Sequence, residues 1–174
     1  MRLTGGMAGI LVRKVSAEDR AEIIAMINGT ANLSAEERDC AAELLDIYLN
    51  KPRQKDYSFI AAAESGRVVG YACYGKRPLT DAVYDLYWIL VHPRRRRGGI
   101  GAALLGHAEG LLKGLGARAL VAETSGLDEY AAARSFYLKN GFTEEARVRE
   151  FYKPGDDLVV FVKRMAPAQQ AGRA

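Results

Sequence analysis

The chain has 174 residues, 49% of them hydrophobic and 26% charged, which excludes a disordered polymer and fits one domain of ordinary size. Its net charge is +4, and Arg94, Arg95, Arg96 and Arg97 account for the whole excess, so the charge suits a compact anion and argues against an extended nucleic-acid surface. No apolar stretch approaches the roughly 20 residues of a membrane span, and Met1 to Gly9 lacks the pattern of a secretory signal, so a cytoplasmic protein with no membrane partner is expected.

Residues 1–9 read as an irregular start, 10–165 as a single domain and 166–174, rich in Ala, Gln and Gly, as a flexible tail. Ile10 to Val15 reads as a first strand. Ser16 opens a capping pattern, and Ile23, Ile24, Met26 and Ile27 predict a helix ending at Asn28-Gly29. Ser34 opens a second capping pattern, followed by Cys40, Ala41, Leu44, Leu45, Tyr48 and Leu49 at helical spacing. Its other face carries Glu36, Glu37, Asp39, Glu43 and Asp46, either a solvated face or one that attracts a cation.

Tyr57 to Ala63 and Arg67 to Tyr74 read as a hairpin across Glu64-Ser65-Gly66, and Val83 to Val91 as a third β run. Gly98 to Leu115 is predicted helical, with Ile100, Leu104, Leu105, Ala108, Leu111 and Leu112 on one side. Ala119 to Glu123 is a strand, and Asp128 to Lys139 a helix stopped by Asn140-Gly141. Ala146 to Tyr152 and Leu158 to Arg164 flank turn chemistry at Pro154-Gly155. The order β-α-α-β-β-β-α-β-α-β-β predicts an α/β (α+β) fold with a mixed sheet of about seven strands and about four helices. Cys40, Cys73, His92 and His107 have no companions at metal spacing, so no metal site is expected. Cys73 reads as a small core residue.

The segment Val91-His92-Pro93-Arg94-Arg95-Arg96-Arg97-Gly98-Gly99-Ile100-Gly101 leads from a strand into a helix. A helix N-terminus presents unpaired N–H groups and partial positive charge, which suit phosphate oxygens. Glycines let the backbone approach such a ligand, and arginines add forked donors. Neither a Walker pattern nor a Gly-x-Gly-x-x-Gly start of a Rossmann unit is present.

Arg96-x-x-Gly99-x-Gly101 after Val91-x-Pro93 resembles the acetyl-CoA signature of the GNAT N-acetyltransferase family. Ala133-Arg134-Ser135-Phe136-Tyr137-Leu138-Lys139-Asn140-Gly141-Phe142 resembles the family's later motif, Ala-x-x-Phe-Tyr-x-x-x-Gly-Phe. Where the family often has Asn three residues before that Ala, this chain has Tyr130.

The resemblance implies a mostly antiparallel sheet with splayed central parallel strands, and acetyl-CoA as cosubstrate. It places Ile89, Leu90 and Val91 against pantetheine and the thioester, and Arg96, Arg97, Gly98, Gly99, Ile100, Gly101 and Ala102 at the pyrophosphate. It makes Tyr137 the general acid, against the alternative of a core aromatic. Asp85 stands where some members carry a base, acting directly or through water, against the alternative of a solvent-facing carboxylate; Glu123 is the fallback. The expected acceptor is a small amine or amino-acid-like molecule. A protein N-terminus or lysine, and a non-catalytic acetyl-CoA-binding regulatory domain, are the alternatives. Members are often dimers, which leaves a homodimer open here.

Overall fold

A computed structural model describes residues 9–165. The expected irregular start before residue 9 and the tail after 165 lie outside the described residues. Seven strands form a sheet in the order β1-β2-β3-β4-β5-β7-β6. They are β1 (Ile10–Lys14), β2 (Ser58–Glu64), β3 (Arg67–Lys76), β4 (Val83–Val91), β5 (Ala119–Ser125), β6 (Thr143–Lys153) and β7 (Asp156–Arg164). The helices are α1 (Arg20–Asn28), α2 (Ala35–Asn50), α3 (Ile100–Gly114) and α4 (Ala131–Lys139). Among the described residues no helix is long and apolar enough to cross a membrane.

The chain divides into two compact units. Among the described residues, one takes in 9–75 with Tyr87–Ala108; the other takes in Lys76–Leu86 with 109–165.

In the first unit, β2 pairs antiparallel with β1 and with β3, with a bulge at Ala62 and Ala63. Ile23, Met26 and Ile27 of α1 and Ala41 and Leu45 of α2 bury against Phe59, Tyr71 and Cys73 of the strands. The cap at Ser34 is reciprocal: Glu37 N–H donates to Ser34 Oγ at 3.1 Å and Ser34 N–H to the Glu37 carboxylate at 2.7 Å. The expected helix at Ser16 begins instead with a 3-10 turn, Ala17–Asp19, and the α-helix starts at Arg20. The cause is Asp19, which is buried and accepts from Ser16 N–H at 2.8 Å and from both terminal nitrogens of Arg13 at 2.7 and 2.8 Å. With the Ser16 hydroxyl, which donates at 3.2 Å, four donors on one carboxylate tighten the first turn before the α register begins.

In the second unit, β5 pairs antiparallel with β7, and β7 with β6. The one recorded parallel register runs from Val83↔Ala119 to Leu86↔Ala122. β4 continues to Val91 and β5 to Ser125, so the parallel pair parts after four residues. That is the splay within a mostly antiparallel sheet. The edge strand β6 is exposed along its whole length.

Helix α3 differs from expectation at both ends and on one face. It starts at Ile100 because Arg97 and Gly99 have left-handed backbone, φ 64° and 77°, which the α-helix cannot continue through. Leu111 points outward, while Glu109 is buried and accepts from Lys163 Nζ at 2.5 Å. The buried charge is tolerated because the ion pair satisfies what burial would otherwise leave bare.

The start of α3 is fixed from beneath by Gly70 of β3. A Cβ there would fall 3.0 Å from Ile100 Cγ2, 3.1 Å from the Leu90 carbonyl oxygen and 3.2 Å from Leu104 Cδ1. Three close contacts at once, one of them backbone, leave little room to yield. Gly70→Ala should therefore lower stability by about 1–3 kcal/mol, the usual cost of overpacking. Urea denaturation checks this; an unchanged midpoint would show that α3 moves off the strand without cost.

Candidate active site

The turn that begins at the end of β4 is built in four steps. His92 N–H donates to Val69 O at 2.9 Å, which anchors the strand end. Pro93–Arg95 then form one 3-10 turn, closed by Arg95 N–H to His92 O at 2.8 Å. Arg96 is extended, with φ −62° and ψ 155°, and Arg97 and Gly99 turn left-handed. Ile100 is 1% exposed, so the helix is locked to the core one residue after the exposed Gly99. Ala103 N–H donates to Gly99 O at 2.9 Å, the first helical bond of α3. The amides of Ile100, Gly101 and Ala102 precede that bond and belong to the part of a helix that lacks internal acceptors.

The four arginines are not equivalent. Arg95 is ion-paired with Glu64 of the β2–β3 hairpin. Arg94 and Arg95 line a cavity of about 590 Å³ with Met26, Val68, His92 and Pro93. Arg96 and Arg97 are exposed beside the open helix start. Ile89, Leu90 and Val91 are half-buried on the preceding strand. The fit to a diphosphate rests on this arrangement: exposed turn, glycines without Cβ, and amides at a positive helix end. A Cβ on Gly98 would come no nearer than 3.4 Å to the Arg95 carbonyl, so the turn itself is not overpacked.

The second unit holds the titratable residues. Asp85 is 8% exposed, so it is not the solvent-facing carboxylate that the sequence left open. Arg77 bridges it to Glu123: Nε donates to Asp85 Oδ1 at 2.8 Å, and Nη2 to Glu123 Oε1 at 2.7 Å. The two candidate bases therefore share one guanidinium. Burial pushes the Asp85 carboxyl above its ordinary value, the Arg77 hydrogen bond and charge pull it back, and Glu123 adds a further upward push. Nothing in the spacing of the sequence marked Arg77. Its partners stand 8 and 46 residues away, and only the strand register brings them to it.

Tyr137 lies on α4 in an aromatic cluster. Its ring centroid is 5.7 Å from Phe136, 5.4 Å from Phe142 and 5.4 Å from Phe161. Burial pushes its phenol up to about 12. The core reading of the ring is thus true of the structure, and it leaves the hydroxyl chemistry to be judged separately. Arg134, inside the same motif, donates from Nη1 to Ser125 O and Leu127 O, both at 2.7 Å. Those bonds tie the start of α4 to the end of β5.

The acidic face of α2 is partly committed to structure. Asp46 accepts from Arg20 Nε at 2.7 Å and Nη2 at 2.9 Å, and Glu37 serves the cap. Cys73 is buried in the core as expected. Tyr48 donates to Val15 O at 3.1 Å, and the Tyr57 and Tyr87 rings meet edge to face at 5.5 Å, so these tyrosines pack. Among the described residues no group of three or more His, Cys, Asp or Glu is placed to hold a metal ion.

Known proteins resemble this chain in sequence and in fold. The sequence model of the acetyltransferase (GNAT) family matches residues 26–142. The aminoglycoside N(6')-acetyltransferase type 1 of Klebsiella aerogenes is 32% identical over 154 residues, covering 83% of this chain and 96% of that protein. A solved GNAT-family structure from Desulfovibrio desulfuricans superposes with a TM-score of 0.86 at 38% identity, over 90% of this chain and 99% of that one. The PaiA N-acetyltransferase of Thermoplasma acidophilum, solved with coenzyme A, has a TM-score of 0.69 at 20% identity, over 90% and 99% of the two chains, which shows a common fold. The chain belongs to the acetyltransferase (GNAT) family and is by class an acyl-CoA-dependent N-acetyltransferase.

Proposed function

We propose that this enzyme moves an acetyl group from acetyl-CoA to a primary amine of a small molecule, by direct attack while both substrates are bound. The observation that carries the proposal is the turn before α3, with left-handed Arg97 and Gly99 ahead of the open first turn. Arg96, Arg97, Gly98, Gly99, Ile100, Gly101 and Ala102 hold the pyrophosphate. Ile89, Leu90 and Val91 run beside pantetheine and the thioester, and a backbone N–H near Leu90 donates to the developing oxyanion. The Klebsiella relative, named for an aminoglycoside, and the coenzyme A complex of the Thermoplasma protein support the small amine and the donor.

Two protons must move. The ammonium of the acceptor loses one before its nitrogen attacks the thioester carbonyl. The C–S bond then breaks, and the second proton, shed by the nitrogen as the amide forms, balances the one that the departing thiolate gains. Asp85 takes the first, directly or through water, with Glu123 as the alternative base. Tyr137 serves the second. A phenol near 12 stays protonated throughout the neutral range. A phenol raised this way holds its proton more tightly than a thiol does, so the hydroxyl acts chiefly as a hydrogen-bond donor to the developing charge.

Binding of the donor is tested at the turn. Gly99→Glu puts bulk and negative charge at a left-handed position beside the phosphates and should abolish coenzyme A binding. Arg96→Ala should weaken it by about 1–3 kcal/mol, the range of a charge-assisted contact. Calorimetry on folded variants decides; unchanged affinity in Gly99→Glu would overturn the assignment of the turn.

The acceptor class is tested by an acetylation screen across polyamines, aminoglycosides, amino acids and peptides. Turnover of a small amine is the expected outcome. Turnover confined to peptide N-termini or lysines would transfer the activity to a protein substrate, and no turnover with intact acetyl-CoA binding would make this a regulatory domain.

Tyr137→Phe removes one oxygen and keeps the ring in its aromatic cluster. Turnover should fall by about 10²-fold or more. Affinity for acetyl-CoA should change little, because the interaction is made with charge that develops only in the transition state. Steady-state kinetics beside a thermal melt distinguish this from a packing defect. Normal turnover would make Tyr137 purely structural.

A further inference from the structure

We propose that Arg77 is a positioning residue that joins Asp85 and Glu123 into one base assembly, holding the Asp85 carboxylate charged and aimed for the proton of the incoming amine. The proposal rests on the acetyltransferase reading above.

Arg77 follows directly on β3, and its backbone is fixed on both sides. Its N–H donates to Val83 O at 2.9 Å, and Thr80 Oγ1 donates to its carbonyl at 2.7 Å. Within the same loop Leu79 and Ala82 are left-handed, φ 59° and 56°, so the connection to β4 is tightly turned. The anchored arm reaches two carboxylates that the sheet has already aligned. Asp85 stands opposite Val121 in the parallel register, and Glu123 lies two residues further along β5, on the same face. One guanidinium nitrogen serves each acid, Nε at Asp85 Oδ1 and Nη2 at Glu123 Oε1. That leaves Oδ2 of Asp85 for a proton.

The arrangement is asymmetric in a way that a surface ion pair is not. Asp85 is buried, whereas the side chains of Arg77 and Glu123 are 39% and 42% exposed. A buried carboxylate without a cation takes up a proton and is no longer a base. The charged groups acting on Asp85 are Arg77, which favours its ionised form, and Glu123, which opposes it. The two neighbours must therefore shift its titration in opposite directions.

The experiment follows the carbon-13 resonances of the Asp85 and Glu123 carboxyl groups against pH in the intact protein, assigned with Asp85→Asn and Glu123→Gln. Arg77→Gln should raise the Asp85 midpoint by about one pH unit, the low end of the effect of a neighbouring opposite charge. Arg77→Lys should raise it less, and Glu123→Gln should lower it. The acid limb of kcat/KM for an acetylated amine should move with each midpoint, and Arg77→Gln should regain rate as pH rises. A purely structural arginine would lower activity equally at all pH. An Asp85 midpoint unmoved in folded Arg77→Gln, or in Arg77→Lys should the former not fold, overturns the proposal. So does a midpoint that moves while the rate profile stays. If no amine is turned over at all, the acetyltransferase reading fails in the assay, while the midpoints still decide whether Arg77 controls Asp85.

Discussion

Helix α3 must satisfy two opposite demands at one end. Its first residue, Ile100, is buried against the strand that carries Gly70, while the amides of its first turn precede the first helical bond and have no acceptor within the helix. A helix that simply continued backward through Gly99 and Gly98 would give those amides to internal carbonyls or bury the turn. Left-handed backbone at Arg97 and Gly99 prevents this, at the cost of a strained conformation for a residue with a side chain. The absence of a Cβ at Gly70 then lets the helix sit close to the strand, so that the open end does not drift. The shape of the turn is thus a consequence of where a buried helix is made to begin.

The charges follow a similar division between fixed and available. Each strongly buried carboxylate has a named partner: Asp19 with Arg13, Asp85 with Arg77, Glu109 with Lys163 and Asp156 with the Ser125 hydroxyl. Such pairing is what makes burial of a carboxylate tolerable. In the turn, Arg95 is engaged by Glu64, which leaves Arg96 and Arg97 beside the open helix start. A run of four like charges is therefore divided by structure into a pair that lines a cavity and a pair that faces outward. The second unit spends its guanidinium differently. Arg77 satisfies one buried and one exposed acid, and so links a carboxylate of the protein interior to one at the surface.

The two sequence motifs were legible because their physics is local. Glycines and arginines between a β-rich run and an amphipathic run announce a helix start open to anions, and Ser34 with Glu37 announces a cap that the structure contains in full. Hydrophobic periodicity likewise placed the seven strands and four helices within a few residues. Boundaries slipped where a tertiary partner intervened. Asp19 drew the first turn of α1 into a 3-10 helix because Arg13 of β1 bonds it. Glu109 was not expected on the buried face of α3, and it is tolerated there because Lys163 of β7 pairs with it.

Sequence alone therefore determined the order of elements, the glycine- and arginine-rich turn before α3 and the aromatic motif around Tyr137, all of which depend on residues within one turn or one strand of each other. It left Asp85 undecided between a base and a surface carboxylate, and it passed over Arg77 altogether. Those two were decided by tertiary structure, since the environment of a carboxylate is set by burial and by the nearest cation. Here that cation arrives across a six-residue loop, and it reaches Glu123 only because the parallel register of β4 and β5 puts residues 85 and 123 on one face.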